Sequence, residues 1–226
     1  MKKFFIGIDT ETANSYLDEK GNVELKDSLC YDIGWAVIDK KGKCYEKRSF
    51  VVAEIFLDKK LMTSAYFAEK IPQYWEDIKS GKRQLKTLKN IRKVFKADCK
   101  KYTPDCIFAH NARFDYNALN NTLRFLSCSK YRYFFPYGIE LWDTLKMAKD
   151  AIGKTKEYTD FCIRNGYLTK HKNPQNRFTA EILWRYINND PDFIESHTGL
   201  EDVEIEKEIF VVCMKKKGIR KLLFEK

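Results

Sequence analysis

Long apolar runs are missing from this 226-residue chain. No stretch approaches the roughly 18 consecutive apolar residues that a membrane-spanning helix needs. The apolar run from Phe4 to Ile8 ends at Asp9, far short of the hydrophobic segment of a signal peptide. These absences argue against membrane insertion and secretion, so we expect a cytoplasmic protein with no membrane partner.

Zinc-spaced cysteines, linkers and repeats are missing as well. The seven cysteines contain no C-x-x-C pair, and their odd number argues against a disulfide framework, so reduced thiols are expected. No low-complexity segment, linker or internal repeat divides the chain. We therefore predict a single domain that spans residues 1–226.

Positive charge is abundant. Lys and Arg outnumber Asp and Glu by 42 to 32, which gives a formal net charge of +10. This balance favours an acidic partner such as nucleic acid, although charge alone does not identify one. The hydrophobic fraction of 44% is typical of a folded globular protein.

Short apolar runs that alternate with helical patterns predict an α/β fold. Residues 4–8 form a continuous apolar run, as in a strand buried on both faces, and residues 33–38 and 49–55 are rich in β-branched and aromatic side chains. Residues 106–109 and 139–142 are further strand candidates, each followed by a helix. We therefore predict a mixed sheet with helices packed on it. Helices are predicted at 85–100, 113–126, 156–164, 179–188 and about 198–216, with short helices and loop at 57–82.

The last predicted helix has a well-marked start. Thr198 and Glu201 match a capping box, in which the threonine oxygen and the glutamate carboxylate both accept amide hydrogens of the first turn. We therefore predict that this helix starts at Thr198.

Asp9 and Glu11 lie two residues apart at the end of the first strand, so their side chains point to the same face. Two adjacent carboxylates repel each other, and a divalent cation would remove the repulsion. Oxygen ligands of this kind suit Mg²⁺ or Mn²⁺ better than zinc. A solvated strand end gives the same pattern, so the pair alone does not establish a metal site.

Asp115 and Asp202 each lie near the start of a predicted helix, on its apolar face. Asp202 shares a helical stripe with Ile205, Ile209 and Cys213. A carboxylate that points toward the core is costly unless a metal or hydrogen bonds compensate it. Either acid alone is also compatible with an exposed group that favours the helix dipole.

His197 lies just before the capping threonine and five residues ahead of Asp202. An imidazole on such a loop can accept a proton from water near neutral pH. A surface histidine without a role is the alternative interpretation.

Basic and aromatic residues give weaker indications. Tyr74 and Trp75 suit structural packing better than stacking on bases. A lysine stripe on one predicted helix either follows a phosphate backbone or is an ordinary solvated face. Its members are Lys86, Lys89, Lys93, Lys96 and Lys100.

Three motifs occur in a fixed order at large separations: residues 8–12 (IDTET), 110–115 (HNARFD) and 197–202 (HTGLED). Together they resemble the DEDD 3′-to-5′ exonucleases of the histidine subtype, the proofreading-exonuclease relatives with a ribonuclease H-like fold. Residues 32–39 and 142–145 resemble further parts of that family. The resemblance therefore spans most of the chain.

The resemblance implies a mixed five-stranded sheet with three antiparallel leading strands, flanked by helices. It also implies two divalent metal ions, Mg²⁺ or Mn²⁺. Asp9 would bridge them, Glu11 and Asp202 would complete one site, and Asp115 would hold the second ion. His197 would take the proton from the water that attacks the terminal phosphodiester, which releases nucleoside 5′-monophosphates.

By the same resemblance, a pocket receives the 3′-terminal nucleotide. Phe114 is the least certain member, because an aromatic beside an apolar strand is also typical of a core. The implied lining is Thr10, Thr12, His110, Asn111 and Phe114.

Two segments depart from the family pattern. Residues 13–31 are longer and more charged than usual, and residues 57–82 have no family counterpart that aligns. The sequence assigns them no role, although substrate choice could be set there.

We therefore predict a 3′-to-5′ exonuclease that acts on DNA at single-stranded or frayed ends. A 3′-to-5′ exoribonuclease is the nearest alternative, because none of the motifs bears on the 2′-hydroxyl group. A catalytically inactive nucleic-acid-binding module is the other, although such a module would not need all four acids and the histidine. The chain is too short to include a polymerase, so proofreading would need a polymerase or another replication or repair partner in trans.

Overall fold

The computed structural model of the protein describes residues 2–14 and 28–224, and a six-stranded sheet lies at its centre. Across the sheet the order is β4, β3, β2, β1, β5, β6, in which β1 to β3 pair antiparallel and β4 to β6 each pair parallel to a neighbour. The strands are β1 (Phe4–Asn14), β2 (Ser28–Asp39), β3 (Cys44–Val52), β4 (Gln84–Lys86), β5 (Cys106–Ala109) and β6 (Glu140–Asp143).

This sheet confirms the predicted ribonuclease H-like arrangement with three antiparallel leading strands, and it has one strand more than the five expected. Residues 84–86 form the extra edge strand beside β3. They are extended because Thr87 caps the following helix, with its Oγ1 accepting the Asn90 N–H at 3.3 Å. The helix predicted from Leu85 therefore begins at Leu88. Lys86 consequently leaves the predicted lysine stripe.

Helices cover both faces of the sheet. Because side chains alternate along a strand, Ile6 and Ile8 lie in one apolar core against the fourth and fifth helices, whereas Phe5 and Phe108 lie in a second core against the sixth to ninth. The α-helices are α1 (Ala53–Phe56), α2 (Lys59–Met62), α3 (Ile71–Lys79), α4 (Leu88–Tyr102), α5 (Arg113–Ser127), α6 (Thr144–Ala151), α7 (Lys156–Arg164), α8 (Ala180–Asn188) and α9 (Gly199–Cys213).

Within the described ranges, no helix is both long and apolar enough to cross a membrane. All seven cysteines lie in those ranges as free thiols. Five are buried, Cys44 is half-buried, and Cys128 at the end of α5 is exposed.

Residues 57–82 form short helices joined by loop, as the sequence predicts. Tyr74 is 1% exposed and its ring lies 5.5 Å from that of Tyr31, which confirms a packing role. Trp75 packs on Phe56 at 5.0 Å between ring centroids and is still 40% exposed. This segment is therefore fixed to the sheet by aromatic contacts.

The first turn of α9 packs against Gly34 of β2, which has no side chain. A Cβ atom at Gly34 would lie 2.2 Å from the Leu200 amide nitrogen, and one at Gly199 would lie 2.8 Å from the Gly34 nitrogen. Two glycines thus allow backbone to contact backbone. Gly34 also pairs with Asp9 in the β1–β2 ladder, so the same contact brings the first turn of α9 beside β1.

The hydrogen bonds at this helix start differ from the predicted capping box. The Thr198 hydroxyl donates to the Glu201 carboxylate at 2.9 Å and caps no amide of the first turn. Glu201 faces Arg83, whose Nη2 donates to it at 2.7 Å, and it is drawn away from the Thr198 amide. That amide donates instead to Asp202 Oδ2 at 3.0 Å. The capping-box prediction was therefore wrong, although the helix does start after Thr198.

Gly34→Ala should destabilise the fold, because the added methyl group would overlap backbone atoms of α9 that cannot rotate away. Overpacking of this kind costs about 3 kcal/mol. Urea denaturation would measure the effect as a lower transition midpoint. In the control Gly166→Ala, the added Cβ would meet nothing within 4 Å, and only its φ of +71° opposes the change, at about 1 kcal/mol. Equal destabilisation of the two variants would contradict the packing explanation.

Candidate functional site

The four acids that the sequence predicts as ligands converge from three elements. Asp9 and Glu11 lie on β1, Asp115 in the first turn of α5, and Asp202 in the first turn of α9. Carboxylate oxygens of Asp9, Glu11 and Asp202 lie within 4.8 Å of one another. Asp115 is linked to them through Thr10, whose Oγ1 donates to Asp115 Oδ1 at 2.8 Å. The structure thus brings all four together.

Side chains alternate along β1, and this explains how one strand presents polar groups to both α9 and α5. Asp9 and Glu11 point to the face that α9 covers, while Thr10 between them points toward α5. A register shift between Glu11 and Thr12 interrupts the pairing with β2, which continues to Asn14. Pairing with β5 on the other side ends at Gly7. The acids therefore lie just past the point where β1 loses β5 as a neighbour.

A fifth carboxylate, Glu206, belongs to the cluster and was missed in the sequence. It is 2% exposed, and its Oε1 accepts the His110 N–H at 2.8 Å. Its position four residues after Asp202 places both acids on one face of α9, and this spacing could have revealed it. The apolar stripe through Ile205 and Ile209 obscures that signal, because Glu206 lies beside the stripe.

Glu195 is a second acid that the sequence motifs do not include. One carboxylate oxygen of Glu195, one ring nitrogen of His197 and one carboxylate oxygen of Asp202 lie within 4.8 Å of one another. Burial raises the pKa of Glu195 to about 7. No periodic pattern marks this residue, because it lies in the loop before α9.

Burial and mutual repulsion raise the pKa values of the whole cluster. Burial raises the pKa of Glu11 to about 9, with the nearby carboxylates as the second cause. Burial and the nearby Glu195 raise the pKa of Asp202 to about 8. Burial raises the pKa of Asp115 to about 7, although the hydrogen bond from Thr10 opposes the rise. The pKa values of Asp9 and Glu206 are raised well above the ordinary range.

Two oxygens of the cluster lack a hydrogen-bond partner among the described residues. They are Asp9 Oδ2 and Glu206 Oε2, and both are buried. A buried carboxylate oxygen without a partner is costly, so it needs either a proton or a cation nearby. The donor set is therefore suited to a hard divalent cation, which prefers oxygen ligands.

His197 lies at the rim of the cluster in a constrained position. Its backbone φ is +52°, in the left-handed region that non-glycine residues seldom adopt. Its ring stacks on Phe67 with centroids 4.2 Å apart and an interplanar angle of 10°. Burial lowers the pKa of His197. Phe67 belongs to the 57–82 segment, so that segment contacts the predicted proton acceptor directly.

The residues predicted to bind the terminal nucleotide lie around the cluster, and the backbone of several of them is hydrogen-bonded within the protein. Thr12 is buried, and its carbonyl accepts the Tyr66 N–H at 3.1 Å. Asn111 is exposed with a φ of +60°, and its backbone N–H donates to Asp143 Oδ1 at 3.1 Å. Phe114 is half-buried. A nucleotide pocket built from these residues stays a prediction.

Both ring nitrogens of His110 are engaged by the protein. Nε2 donates to the Phe178 carbonyl at 2.6 Å, and Nδ1 lies 3.0 Å from Thr144 Oγ1. The ring thus fastens residues 166–179 to the end of β5. Contact with a substrate through either nitrogen would require breaking one of these bonds.

A cleft of about 1120 Å³ opens beside the cluster. Asp9 and Glu206 line its inner end, and Lys149 and Arg177 line its outer part. Both cationic side chains are exposed. The cleft therefore has acids at its base and positive charge at its mouth.

A buried ion pair holds the start of α9 against β2. Asp32 accepts the Gly199 N–H at 2.9 Å, the Tyr74 hydroxyl at 2.7 Å and Arg83 Nη1 at 3.1 Å. Arg83, which is 1% exposed, also reaches Glu201. No sequence pattern predicts this partnership, because its members come from four distant segments. It connects the 57–82 segment to the helix that carries Asp202.

Of the longer segment 13–31, residues 15–27 lie outside the described part of the chain. The flanking residues, 13–14 and 28–31, belong to β1 and β2. Any role in substrate choice for residues 15–27 stays a prediction.

Comparisons with known proteins show likeness at the level of structure. No protein-family model matches the chain, and neither does any curated protein. Among solved structures, Exonuclease X in complex with 5′ overhanging duplex DNA has 15% identity and a TM-score of 0.47, over 95% of this chain and 93% of that chain. E. coli Exonuclease I in complex with a 5cy-dT13 oligonucleotide has 13% identity and a TM-score of 0.50, over 92% of this chain and 39% of that chain. The chain thus has the fold found in part of Exonuclease I.

Proposed function

We propose that the chain is a metal-dependent 3′-to-5′ exonuclease of the histidine subtype. It would hydrolyse terminal phosphodiesters of DNA, at single-stranded or frayed ends, to nucleoside 5′-monophosphates. The observation that carries this proposal is the convergence of Asp9, Glu11, Asp115, Asp202 and Glu206 around one point, four of them buried. The fold shared with Exonuclease I supports it.

The acid cluster fits divalent cations. Its donors are all carboxylate oxygens, which Mg²⁺ and Mn²⁺ prefer, and two of those oxygens lack a partner among the described residues. We assign Asp9 to both of two ions, Glu11 and Asp202 to one, and Asp115 to the other. When bound, the cations would supply positive charge opposite the attacking and leaving oxygens of the phosphodiester.

His197 is the group that we assign to accept the proton of the attacking water. Because burial lowers its pKa, the imidazole is neutral at pH 7 and has a lone pair available. The stack on Phe67 restricts tilting of the ring. Such restriction favours a fixed orientation for proton transfer.

The cleft beside Asp9 is the place that we assign to the 3′-terminal part of the strand. Lys149 and Arg177 would attract its phosphates toward the acids at the inner end. This assignment also accounts for the position of His110, which keeps residues 166–179 in place as one wall of the cleft.

Asp9→Asn should abolish cleavage, because it removes the charge that both proposed cations share. A gel time course on 5′-labelled single-stranded DNA and RNA, with Mg²⁺, Mn²⁺ or EDTA, would show a ladder that shortens from the 3′ end for the wild type with either metal, and none for Asp9→Asn. Asp190→Asn, an exposed acid remote from the cluster, is the matched control. Full activity in Asp9→Asn would refute the mechanism, and a ladder on RNA alone would replace DNA with RNA as the substrate.

His197→Ala should slow cleavage by a factor of about 10² to 10³ while binding of the cation persists, because the imidazole is assigned to proton transfer and not to the metal. Single-turnover rates at saturating Mn²⁺ would measure the first effect. An unchanged rate would remove His197 from the mechanism.

Mn²⁺ should stabilise the wild-type fold by neutralising buried carboxylates. At about 100 times its Kd the gain is about 2.7 kcal/mol, or roughly 5–10 °C in Tm. Asp9→Asn should raise Tm in EDTA, because it removes an acid whose ionisation the fold opposes through burial and the neighbouring carboxylates, and should respond little to Mn²⁺. Thermal unfolding followed by circular dichroism tests both statements without any activity measurement. An equal Mn²⁺ response in both proteins would place the cation elsewhere.

A further inference from the structure

The loop between α5 and β6 presents tyrosine rings to solvent. Tyr131, Tyr133 and Tyr137 are 79%, 51% and 106% exposed. The loop that carries them is anchored, because Phe134 is fully buried and its amide donates to Asn120 Oδ1 at 2.8 Å. Exposed rings on an anchored backbone are unusual for a face with nothing to bind.

Positive charge borders these rings. Arg124 lies 4.9 Å from the centroid of the Tyr133 ring, and Lys130 lies 5.3 Å from that of Tyr131. Arg124 Nε donates to the Arg132 carbonyl at 3.2 Å, so a neutral acceptor holds it in place.

Among the residues that the structure describes, no carboxylate pairs with this charge. The sequence contains no acidic residue between Asp115 and Glu140. From the neighbouring helix α4, Arg92 also donates to loop carbonyls, with Nε 2.9 Å from the Phe134 oxygen. In the described ranges, the charged groups of Arg92, Arg124, Lys130 and Arg132 form no ion pair with a carboxylate. The loop is thus a compact cationic face with exposed aromatic rings.

The exposed side of α5 connects this face to the acid cluster. The helix has 15 residues and is about 22 Å long, with Asp115 in its first turn and the loop directly after its end. Arg113, Asn117 and Phe125 lie along its solvent side, which carries no acid. Among the described residues of α5, a polyanion on this side would therefore meet no negative charge.

We propose that this face, hereafter the tyrosine surface, is a second binding site for single-stranded nucleic acid. Aromatic rings stack on unpaired bases, and lysine and arginine side chains bind the phosphates between them. A duplex keeps its base faces covered and would not use the rings. The members of the tyrosine surface are Arg124, Lys130, Tyr131, Arg132, Tyr133 and Tyr137.

One part of this inference, the direction in which the strand runs, rests on the proposed exonuclease function. With the 3′ end at the acid cluster, the tyrosine surface would hold the part of the strand that lies toward the 5′ end. Strands too short to cover the length of α5 would reach one site only. Binding should therefore depend on strand length, and cleavage of very short strands should be independent of the tyrosine surface.

Fluorescence anisotropy of labelled single strands, recorded in EDTA with the full chain, tests the proposal without cleavage. The double variant Tyr131→Ala/Tyr137→Ala should bind a strand of about 20 nucleotides about tenfold more weakly than the wild type does. Tyr131→Phe/Tyr137→Phe keeps the rings and should bind normally. Because these side chains are exposed, the variants should fold like the wild type.

Lys130→Ala/Arg132→Ala should reduce the salt dependence of binding, by about 0.7 in the logarithmic slope for each phosphate that the variant no longer neutralises. Lys40→Ala/Lys41→Ala is the charge-matched control, from the exposed turn between β2 and β3. An equal effect of the two pairs would overturn the proposal, as would normal long-strand binding by the tyrosine-to-alanine variant. Competition by anionic lipid vesicles but not by unlabelled strands would also overturn it.

The outcome is separable from that of the proposed function. Weaker long-strand binding in the variants, together with no cleavage by the wild type, would support the tyrosine surface and refute the nuclease. Normal binding in the variants, together with a 3′-to-5′ ladder from the wild type, would refute the tyrosine surface and leave the nuclease proposal intact.

Discussion

The backbone contact between Gly34 and Gly199 is the constraint on which the site depends. It lets α9 lie directly on β1 and β2, with no side chain between them. Only at this separation can Asp202 and Glu206 on the helix approach Asp9 on the strand. A larger residue at either glycine would widen the gap by about the size of a methyl group, which exceeds the tolerance of a chelating site.

The same contact brings several buried carboxylates together, and a separate network fixes the helix that carries two of them. Asp32 and Arg83 hold the first turn of α9 by hydrogen bonds from outside the cluster. Arg83 also forms an ion pair with Glu201, so the Glu201 carboxylate does not add to the repulsion around Asp202. The start of α9 thus separates two kinds of acid: those neutralised by Arg83, and those left without a cation from the protein itself.

Local patterns predicted much of this fold. The apolar run before Asp9, the helical stripe of Asp202 and the turn after residue 109 are short-range signals, and strands and helices formed where they indicated. Contacts between residues that are distant in sequence leave no local pattern, so they could not be predicted in this way. Arg83 is an ordinary charged residue in the sequence, yet in the fold it is buried and alters the cap of α9. Glu206 was missed because it lies beside the apolar stripe of α9. Only the fold shows that this side of the helix meets the acids of β1.

Cys128 gives this architecture a practical consequence. It is the exposed thiol among seven cysteines, and it lies at the end of α5, just before the loop that carries the tyrosine rings. Thiol reactivity follows exposure, so a maleimide dye would attach there in preference to the buried sulfurs. The native chain therefore carries one preferred labelling position, from which energy transfer to a dye on an oligonucleotide would report the path and direction of the strand.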